Sequence, residues 1–230
     1  MFIEQSMTGK IVTIAKNASI FEAQEKMALH HIRHLPVVED DNRLIGIVSD
    51  RDIRGALPYG PLAYFDFRKE KERLSDLKIE AIMIRDLHTI SPLDTIEDAL
   101  LLIQNKKVGA LPVVEENNRL VGIISVRDLL RAFINVMGIE ESGTLLGILL
   151  TDKNDRLKGI VDAVSEENIS IGSILVARHW DKNKRAVFPY LLTQNIVPIK
   201  RKLENMGYTL LNPMNWYLDR LPSDPCAREP

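Results

Sequence analysis

The chain has 230 residues, of which 45% are hydrophobic and 27% are charged, and its net charge is −2. This length and mixture predict two globular domains and argue against a disordered, collagen-like or coiled-coil chain. A nearly neutral protein has no global field to draw it onto nucleic acid or an anionic membrane. With one cysteine, no signal-like start and no apolar run near ~18 residues, we expect a soluble protein of the reducing cytoplasm.

The chain contains an internal repeat. Residues 7–53 align without a gap with residues 83–129, and 18 of the 47 aligned pairs are identical. Background composition would give roughly three identities, so the segment is duplicated. Two copies are too few for a solenoid. We therefore expect a pair packed face to face about a pseudo-twofold axis.

Each copy begins with a short extended segment that is followed by a helix. Ser19 and Thr95 are the expected N-caps of these helices, with Glu22 and Asp98 placed three residues later as capping-box acids. Apolar residues recur behind both caps at helical spacing.

A predicted hairpin follows each of these helices. The sequences LPVV-EDDN-RLIGIVS and LPVV-EENN-RLVGIIS place an acid- and Asn-rich turn between two β-branched runs. A closing helix is expected to begin near Asp52 in the first copy and near Asp128 in the second. The predicted order of each copy is therefore β-α-β-β-α.

The segment after the second copy has a different pattern. It predicts the order β-α-β-β-α-β, the split, ferredoxin-like arrangement, with its first strand over 144–151. A charged helix is expected to join the two copies, and the Pro-rich end is expected to be a tail. The predicted boundaries are 1–60 for the first repeat, 61–80 for the helical linker, 81–138 for the second repeat, 143–212 for the third segment and 213–230 for the tail.

The doubled motif G-[IV]-[IV]-S-x-R-D, together with L-P-V-V, resembles that of paired CBS (cystathionine β-synthase-type) domains, the Bateman module. This resemblance implies an α/β (α+β) fold. The third segment looks like an ACT domain, although its first loop, DKNDR, lacks the Gly of amino-acid-binding members. A CBS pair followed by an ACT-like domain resembles the acetoin utilization protein AcuB family, which implies a link to acetoin utilization.

In CBS pairs the usual ligand is an adenosine nucleotide, so the resemblance implies AMP, ADP, ATP or S-adenosylmethionine as a regulatory ligand, with no obligatory cofactor. The carboxylates of Asp52 and Asp128 could accept hydrogen bonds from a ribose diol. Ser49 and Ser125 could meet a phosphate at a helix N-terminus. The alternative is that Ser-x-x-Asp is simply a helix cap. The candidate nucleotide-binding residues are Thr13, Ile14, Ala15, Arg33, His34, Val37, Ser49, Arg51, Asp52, Thr89, Ile90, Ser91, Ala110, Val113, Ser125, Arg127 and Asp128.

Backbone amides of the first extended segments, with the side chains of Val37 and Val113, could offer an apolar slot for the purine. The basic residues differ between the copies. The first copy has Arg33, His34 and Arg51, whereas the second has Gly-Ala at the first two positions and keeps Arg127. The two pockets are therefore expected to differ in phosphate affinity, unless the Arg side chains simply pair with surface carboxylates.

The remaining candidate chemistry is weak. The cluster of His30, His31 and His34 has no neighbouring Asp, Glu or Cys to complete a ligand set, so no metal site is expected. No nucleophile, phosphate-loop, zinc-protease or dinucleotide motif is present, so no catalytic role is expected.

The sequence thus predicts a non-catalytic regulatory or sensor protein, without nucleic-acid or membrane partners. The alternatives are a scaffold that dimerises for a partner enzyme without sensing a ligand and, from another class, a small deacetylase or nucleotide-processing enzyme. A homodimer is expected, because the third segment carries apolar strand residues for both a core and an interface. These residues are Ile148, Leu150, Ile174, Val176, Val187 and Tyr190.

Overall fold

The computed structural model describes residues 1–56, 76–150, 157–181 and 184–211. The chain divides into two compact units, Met1–Ala132 and Phe133–Pro230. The predicted linker helix, apart from residues 76–80, and the predicted tail lie outside the described residues. Each unit is considered by itself below.

The first repeat is a small sheet covered by two helices. Its elements in chain order are β1 (Ile14–Ala15), α1 (Ile20–His30), β2 (His34–Glu39), β3 (Arg43–Ser49) and α2 (Asp50–Ala56). Strand β1 pairs in parallel with β2, and β2 pairs antiparallel with β3. The predicted β-α-β-β-α order is therefore confirmed for this repeat.

The second repeat has the same order, but its first strand is reduced to a single bridge between Ile90 and Val113. Its elements are α3 (Ile96–Lys106), β4 (Ala110–Val114), β5 (Leu120–Ser125) and α4 (Val126–Met137). Strands β4 and β5 form an antiparallel hairpin in the same register as β2 and β3. The described part of this unit also contains short 3-10 helices at Ile3–Gln5, Asp40–Asn42, Ile79–Ala81 and Glu116–Asn118.

Both predicted helix caps are present. The hydroxyl of Ser19 accepts the backbone N–H of Glu22 at 3.2 Å, and the hydroxyl of Thr95 accepts that of Asp98 at 3.2 Å. The Asp98 carboxylate in turn accepts the backbone N–H of Thr95 at 3.0 Å, which completes a capping box on α3. These bonds satisfy backbone donors that the first helical turn would otherwise leave unpaired.

The segments that precede the two repeats, residues 1–8 and 77–84, are exchanged between the repeats; we call them the lead-in segments. Ile3 is fully buried in the core of the second repeat, whereas Ile79 and Met83 are buried in the core of the first. Each lead-in segment therefore supplies core side chains to the repeat that it does not introduce.

The backbone bridges follow the same symmetry. Ile47 bridges Ile84, and the equivalent residue of the second repeat, Ile123, bridges Thr8. A further bridge joins Arg43 directly to its equivalent, Arg119. Matched contacts of this kind confirm the predicted pseudo-twofold relation between the repeats.

The second unit contains an antiparallel sheet in which the strands lie in the order β10 (Thr209–Leu210), β7 (Ile148–Leu150), β9 (Lys184–Leu191) and β8 (Ile171–Asp181). The short strand β6 (Thr144–Leu145) pairs with the same edge of β9 as β7 does. This is the predicted β-α-β-β-α-β order. The predicted first strand over 144–151 is interrupted at residues 146–147. The elements are β6 (Thr144–Leu145), β7 (Ile148–Leu150), α5 (Leu157–Glu166), β8 (Ile171–Asp181), β9 (Lys184–Leu191), α6 (Val197–Asn205) and β10 (Thr209–Leu210).

Helices α5 and α6 supply Ile160, Ile199 and Leu203 to a core that they share with the sheet. The loop DKNDR between β7 and α5 lies outside the described residues, and the ACT resemblance stays a prediction. Over the described stretches of both units, no helix has the length and apolar character that crossing a bilayer requires.

Candidate functional site

Two matched capping boxes lie where the hairpins end and the closing helices begin. The carboxylate of Asp52 accepts the backbone N–H of Ser49 at 2.8 Å and its hydroxyl at 2.6 Å. The carboxylate of Asp128 accepts the same two groups of Ser125 at 2.9 Å and 2.6 Å. In each box the Ser hydroxyl also lies within hydrogen-bonding distance of the Asp backbone N–H. The duplicated Ser-x-x-Asp motif is therefore a capping box in both repeats.

This geometry corrects the predicted starts of the closing helices. Helix α2 begins at Asp50 and α4 at Val126, two residues before the expected positions. The cause is that the preceding Ser is the N-cap, so the Asp occupies the third position of the helix.

The capping role leaves part of each carboxylate available. Within the boxes each Asp carboxylate accepts hydrogen bonds at Oδ2 alone, and in the described part of the chain Oδ1 of Asp52 has no partner. Oδ1 of Asp128 lies 3.8 Å from a guanidinium nitrogen of Arg131, at the limit of an ion pair. A carboxylate oxygen has two lone pairs, so a cap and a ligand contact can share one side chain.

In the first repeat the sheet brings the predicted basic residues to the capping box. His34 pairs with Ser49 across the β2–β3 hairpin. The backbone N–H of Asp50 donates to the carbonyl of Arg33 at 3.0 Å, which fixes the start of α2 to the start of β2. Arg33 and His34 therefore lie beside the Ser49–Asp52 box.

The second repeat has the same backbone arrangement with smaller side chains. Ala110 pairs with Ser125, and the N–H of Val126 donates to the carbonyl of Gly109 at 3.2 Å. The predicted residue Ala110 is nearly buried. The difference between the two boxes is thus one of side chains and not of backbone.

The extended segments before α1 and α3 are mostly committed to the protein itself. The backbone of Ile90 bonds Pro112 and Val114, and the N–H of Ser91 donates to the carboxylate of Asp94 at 2.8 Å. Ile14 is likewise buried and paired in the first repeat. Of the other predicted residues there, Thr13 and Thr89 are half-buried and Ala15 is exposed.

The side chains of Val37 and Val113 do not line an open slot for a purine. Both have 0% exposure and pack in the cores of the first and second repeat. The cause is that β2 and β4 are covered on both faces, so neighbouring residues on these strands are buried together.

Three predicted basic residues are exposed near the boxes, namely Arg33, Arg51 and Arg127. None of them forms an ion pair within the residues that the structure describes. By contrast, Arg54 pairs with Asp50 at 2.7 Å. The alternative in which Arg51 and Arg127 are occupied by neighbouring carboxylates is therefore not found in that part of the chain.

His34 is half-buried between the repeats. A Cβ added to Gly109 would lie 2.9 Å from both Cε1 and Nε2 of the His34 ring, so the imidazole rests against the glycine. Burial lowers the pKa of His34 below its ordinary value of 6.5; Arg33 also lowers it, whereas Asp52 and Asp50 oppose the shift. Gly109 is the functional candidate that the sequence reasoning missed, although its difference from Arg33 was visible in the repeat alignment.

The turn end of the two hairpins, away from the capping boxes, is rich in carboxylates. A cavity of about 1130 Å³ lies there. Its charged lining consists of Glu4, Glu39, Asp40, Asp41, Glu115 and Glu116 with Arg43 and Arg119. Both arginines are already paired, Arg43 with Glu39 and Arg119 with Glu115. An anionic ligand would be repelled from this end, so the cavity does not coincide with the predicted phosphate site.

The three histidines of the cluster lie where α1 ends and β2 begins. His30 ends α1, and His31 adopts a left-handed conformation with φ of 53°. Among the residues that have described positions, no group of three or more His, Cys, Asp or Glu side chains could hold a metal ion.

Comparison with known proteins matches both repeats to one family. The CBS domain model matches residues 3–59 and 79–135. A CBS domain-containing protein of Dictyostelium discoideum is 34% identical over 139 residues, covering 60% of this chain and 94% of the relative.

Two solved structures give the same relation. A Vibrio cholerae protein named for acetoin utilization (AcuB) is 26% identical, with a TM-score of 0.51, and the match covers 61% of this chain and 95% of that one. The CBS domain pair of MJ0100, solved with 5′-methylthioadenosine and S-adenosyl-L-methionine, is 27% identical with a TM-score of 0.48, covering 58% and 95%. The family match to both repeats and the relative from Dictyostelium discoideum show that the chain belongs to the CBS-domain proteins, as a tandem CBS pair.

Proposed function

We propose that the chain is a non-catalytic regulatory protein of the cytoplasm whose CBS pair binds an adenosine nucleotide beside the two capping boxes. The observation that carries the proposal is that each capping carboxylate keeps its Oδ1 outside the capping box and is next in sequence to an exposed Arg that forms no ion pair among the described residues. Asp52 with Arg51 and Asp128 with Arg127 provide this combination in each repeat.

The ribose contact follows from the carboxylates. Asp52 and Asp128 are held in fixed orientations by two hydrogen bonds each, so a ligand does not have to order them. Their remaining acceptor capacity suits a vicinal diol, since each hydroxyl can donate one hydrogen bond to an ionised carboxylate. Preorganisation of this kind lowers the entropic cost of binding.

The phosphate contact follows from the distribution of charge. Arg33, Arg51 and Arg127 are exposed at the capping-box end, whereas six carboxylates line the cavity at the other end. A guanidinium group binds phosphate oxygens with paired N–H donors. AMP, ADP or ATP is therefore expected to place its phosphates at the capping-box end, and S-adenosylmethionine, which has no phosphate, would place its carboxylate there.

A thermal-unfolding screen with adenosine compounds tests the proposal. A ligand present at about one hundred times its dissociation constant should add about 2.7 kcal/mol to the free energy of unfolding. If no adenosine compound at millimolar concentration shifts the unfolding temperature, the scaffold alternative is favoured instead.

Substitution of the carboxylates locates the site. Asp52→Asn and Asp128→Asn keep an acceptor for the Ser N–H but lose the charge, so each should weaken nucleotide binding at its own box about tenfold or more. Asp98→Asn is the matched control, because Asp98 makes the same capping contacts with Thr95 on α3. If both site variants bind nucleotide as tightly as the control, the ribose assignment is wrong.

The scaffold alternative rests on the expected homodimer. Of the apolar strand residues predicted for an interface, Ile148, Leu150, Val187 and Tyr190 are buried in the second unit, whereas Val176 is 43% exposed. Helix α4 also exposes Leu130, by 58%. Light scattering at micromolar concentration should give twice the 26.1 kDa of one chain. A measured mass of one chain, with and without nucleotide, would contradict the predicted homodimer.

A further inference from the structure

One side-chain contact connects the two capping boxes. The ring of His34 rests on Gly109, which has no side chain and so leaves room for it. His34 pairs with Ser49 of the first box, and the carbonyl of Gly109 accepts the N–H of Val126, the residue after Ser125 of the second box. The path from one box to the other is therefore short and consists of packed groups.

The contact is asymmetric although the fold is symmetric. The repeat alignment places Gly109 opposite Arg33 and Ala110 opposite His34. The interface between the boxes therefore holds this imidazole without a symmetric copy of it. The charged groups that face the ring are Asp50 and Asp52 from α2 and Arg33, which precedes β2, and Gly109 and Ala110 bring no charge from the second repeat.

We propose that His34 and Gly109 couple the two adenosine sites, with His34 as a phosphate partner shared by both. A first phosphate-bearing ligand then lowers the affinity for a second one, whereas ligands without phosphate occupy the two sites independently. This inference rests on the proposed nucleotide function and adds its regulation.

The physical basis is that one imidazole cannot serve two phosphates. The ligand that binds first takes its hydrogen bond, so the second loses that donor. A ligand can change the other site only through such a differential interaction, and the effect is reciprocal. Because burial keeps the ring largely uncharged near neutral pH, binding of a phosphate should also draw a proton onto it.

Isothermal titration of the full chain with AMP and with adenosine measures the coupling. The variants Asp52→Asn and Asp128→Asn, which each weaken one site, give the affinity of the other site over the ligand concentrations at which the weakened site stays empty. The coupling ratio is the product of the two stepwise association constants of the wild type, divided by the product of the two single-site association constants. We expect this ratio to be at least fivefold below one for AMP and to be near one for adenosine. Titration in buffers of different ionisation enthalpy should show proton uptake with AMP only.

His34→Gln should return the AMP ratio to near one and abolish the proton uptake. The single-site constants for this ratio come from Asp52→Asn and Asp128→Asn variants that also carry His34→Gln. Gly109→Ala should do the same, since the new Cβ displaces the ring. His30→Gln is the control, because His30 is exposed at the end of α1. Independent binding of AMP by the wild type, or an unchanged ratio in His34→Gln, overturns the coupling and leaves the nucleotide function intact. If the wild type binds neither ligand, the proposed function fails and the coupling with it.

Discussion

The two repeats have matching cores but differ at their capping-box end and on their closing helices, α2 and α4. Equivalent core positions carry the same residue type, as at Leu35 and Leu111, both with 0% exposure. At the boundary between the repeats, Arg33 and His34 of the first stand where the second has Gly-Ala. The core residues are thus matched between the repeats, whereas Arg33 and His34 beside the first capping box have no equivalent beside the second.

The outer surfaces diverge in the same way. Val126 and Leu130 of α4 are 51% and 58% exposed, whereas the equivalent positions of α2 carry Asp50 and Arg54, which form an ion pair. Since a polar pair satisfies the same fold positions in the first repeat, the fold itself does not require these exposed apolar side chains. Comparison of the two repeats therefore distinguishes side chains that the repeat fold needs from side chains that it does not need.

The largest expected effect tests whether the two cores are equivalent. Leu35→Ala and Leu111→Ala each remove a fully buried side chain and should each cost about 2–5 kcal/mol of unfolding free energy. Denaturant titration measures both values. Leu93→Ala, at a residue that is 75% exposed, is the control and should change little. A large cost in only one repeat would show that the cores contribute unequally.

The next effect concerns the capping boxes. Ser49→Ala and Ser125→Ala each remove an N-cap and leave a carboxylate with one fewer partner, so each should cost about 1 kcal/mol. The free energy of unfolding by denaturant is again the measurement. Because the bond lengths in the two boxes are nearly the same, costs that differ by more than about twofold would contradict their structural equivalence.

The smallest effect depends on pH and belongs to the first repeat alone. Because burial lowers the pKa of His34 below 6.5, the unfolded chain takes up a proton at a higher pH than the folded chain does. Stability should therefore fall as the pH decreases below about 6.5. His34→Gln should remove this part of the pH dependence, and unfolding at a series of pH values gives the difference. Parallel curves for the variant and the wild type would contradict the assignment.

Much of the fold follows from local signals. The duplicated pattern predicted both hairpins, and Ser19 and Thr95 were identified as caps because capping depends on residues three apart. The closing helices were placed two residues late, since Asp52 and Asp128 were taken as the start when each is the third helical residue. The error is small because the motif itself was correctly located.

What could not be predicted depends on contacts between distant parts of the chain. The alternating pattern of a strand does not reveal that both faces are covered, so Val37 was expected to face a ligand. The role of Gly109 depends on a ring 75 positions earlier, and a missing side chain gives no positive signal. The exchange of the lead-in segments is equally invisible, because Met7 and Met83 align as the starts of their own repeats.

The exchanged lead-in segments also determine the order in which the chain can fold during synthesis. The core of the first repeat lacks Ile79 and Met83 until the chain has been made beyond that point. Ile3, which is made before both repeats, has no complete partner core until the second repeat has been synthesised, through Leu129 and Ala132. The first core can therefore close only after residue 83 has been made and the second only after residue 132, each through contacts of long sequence separation.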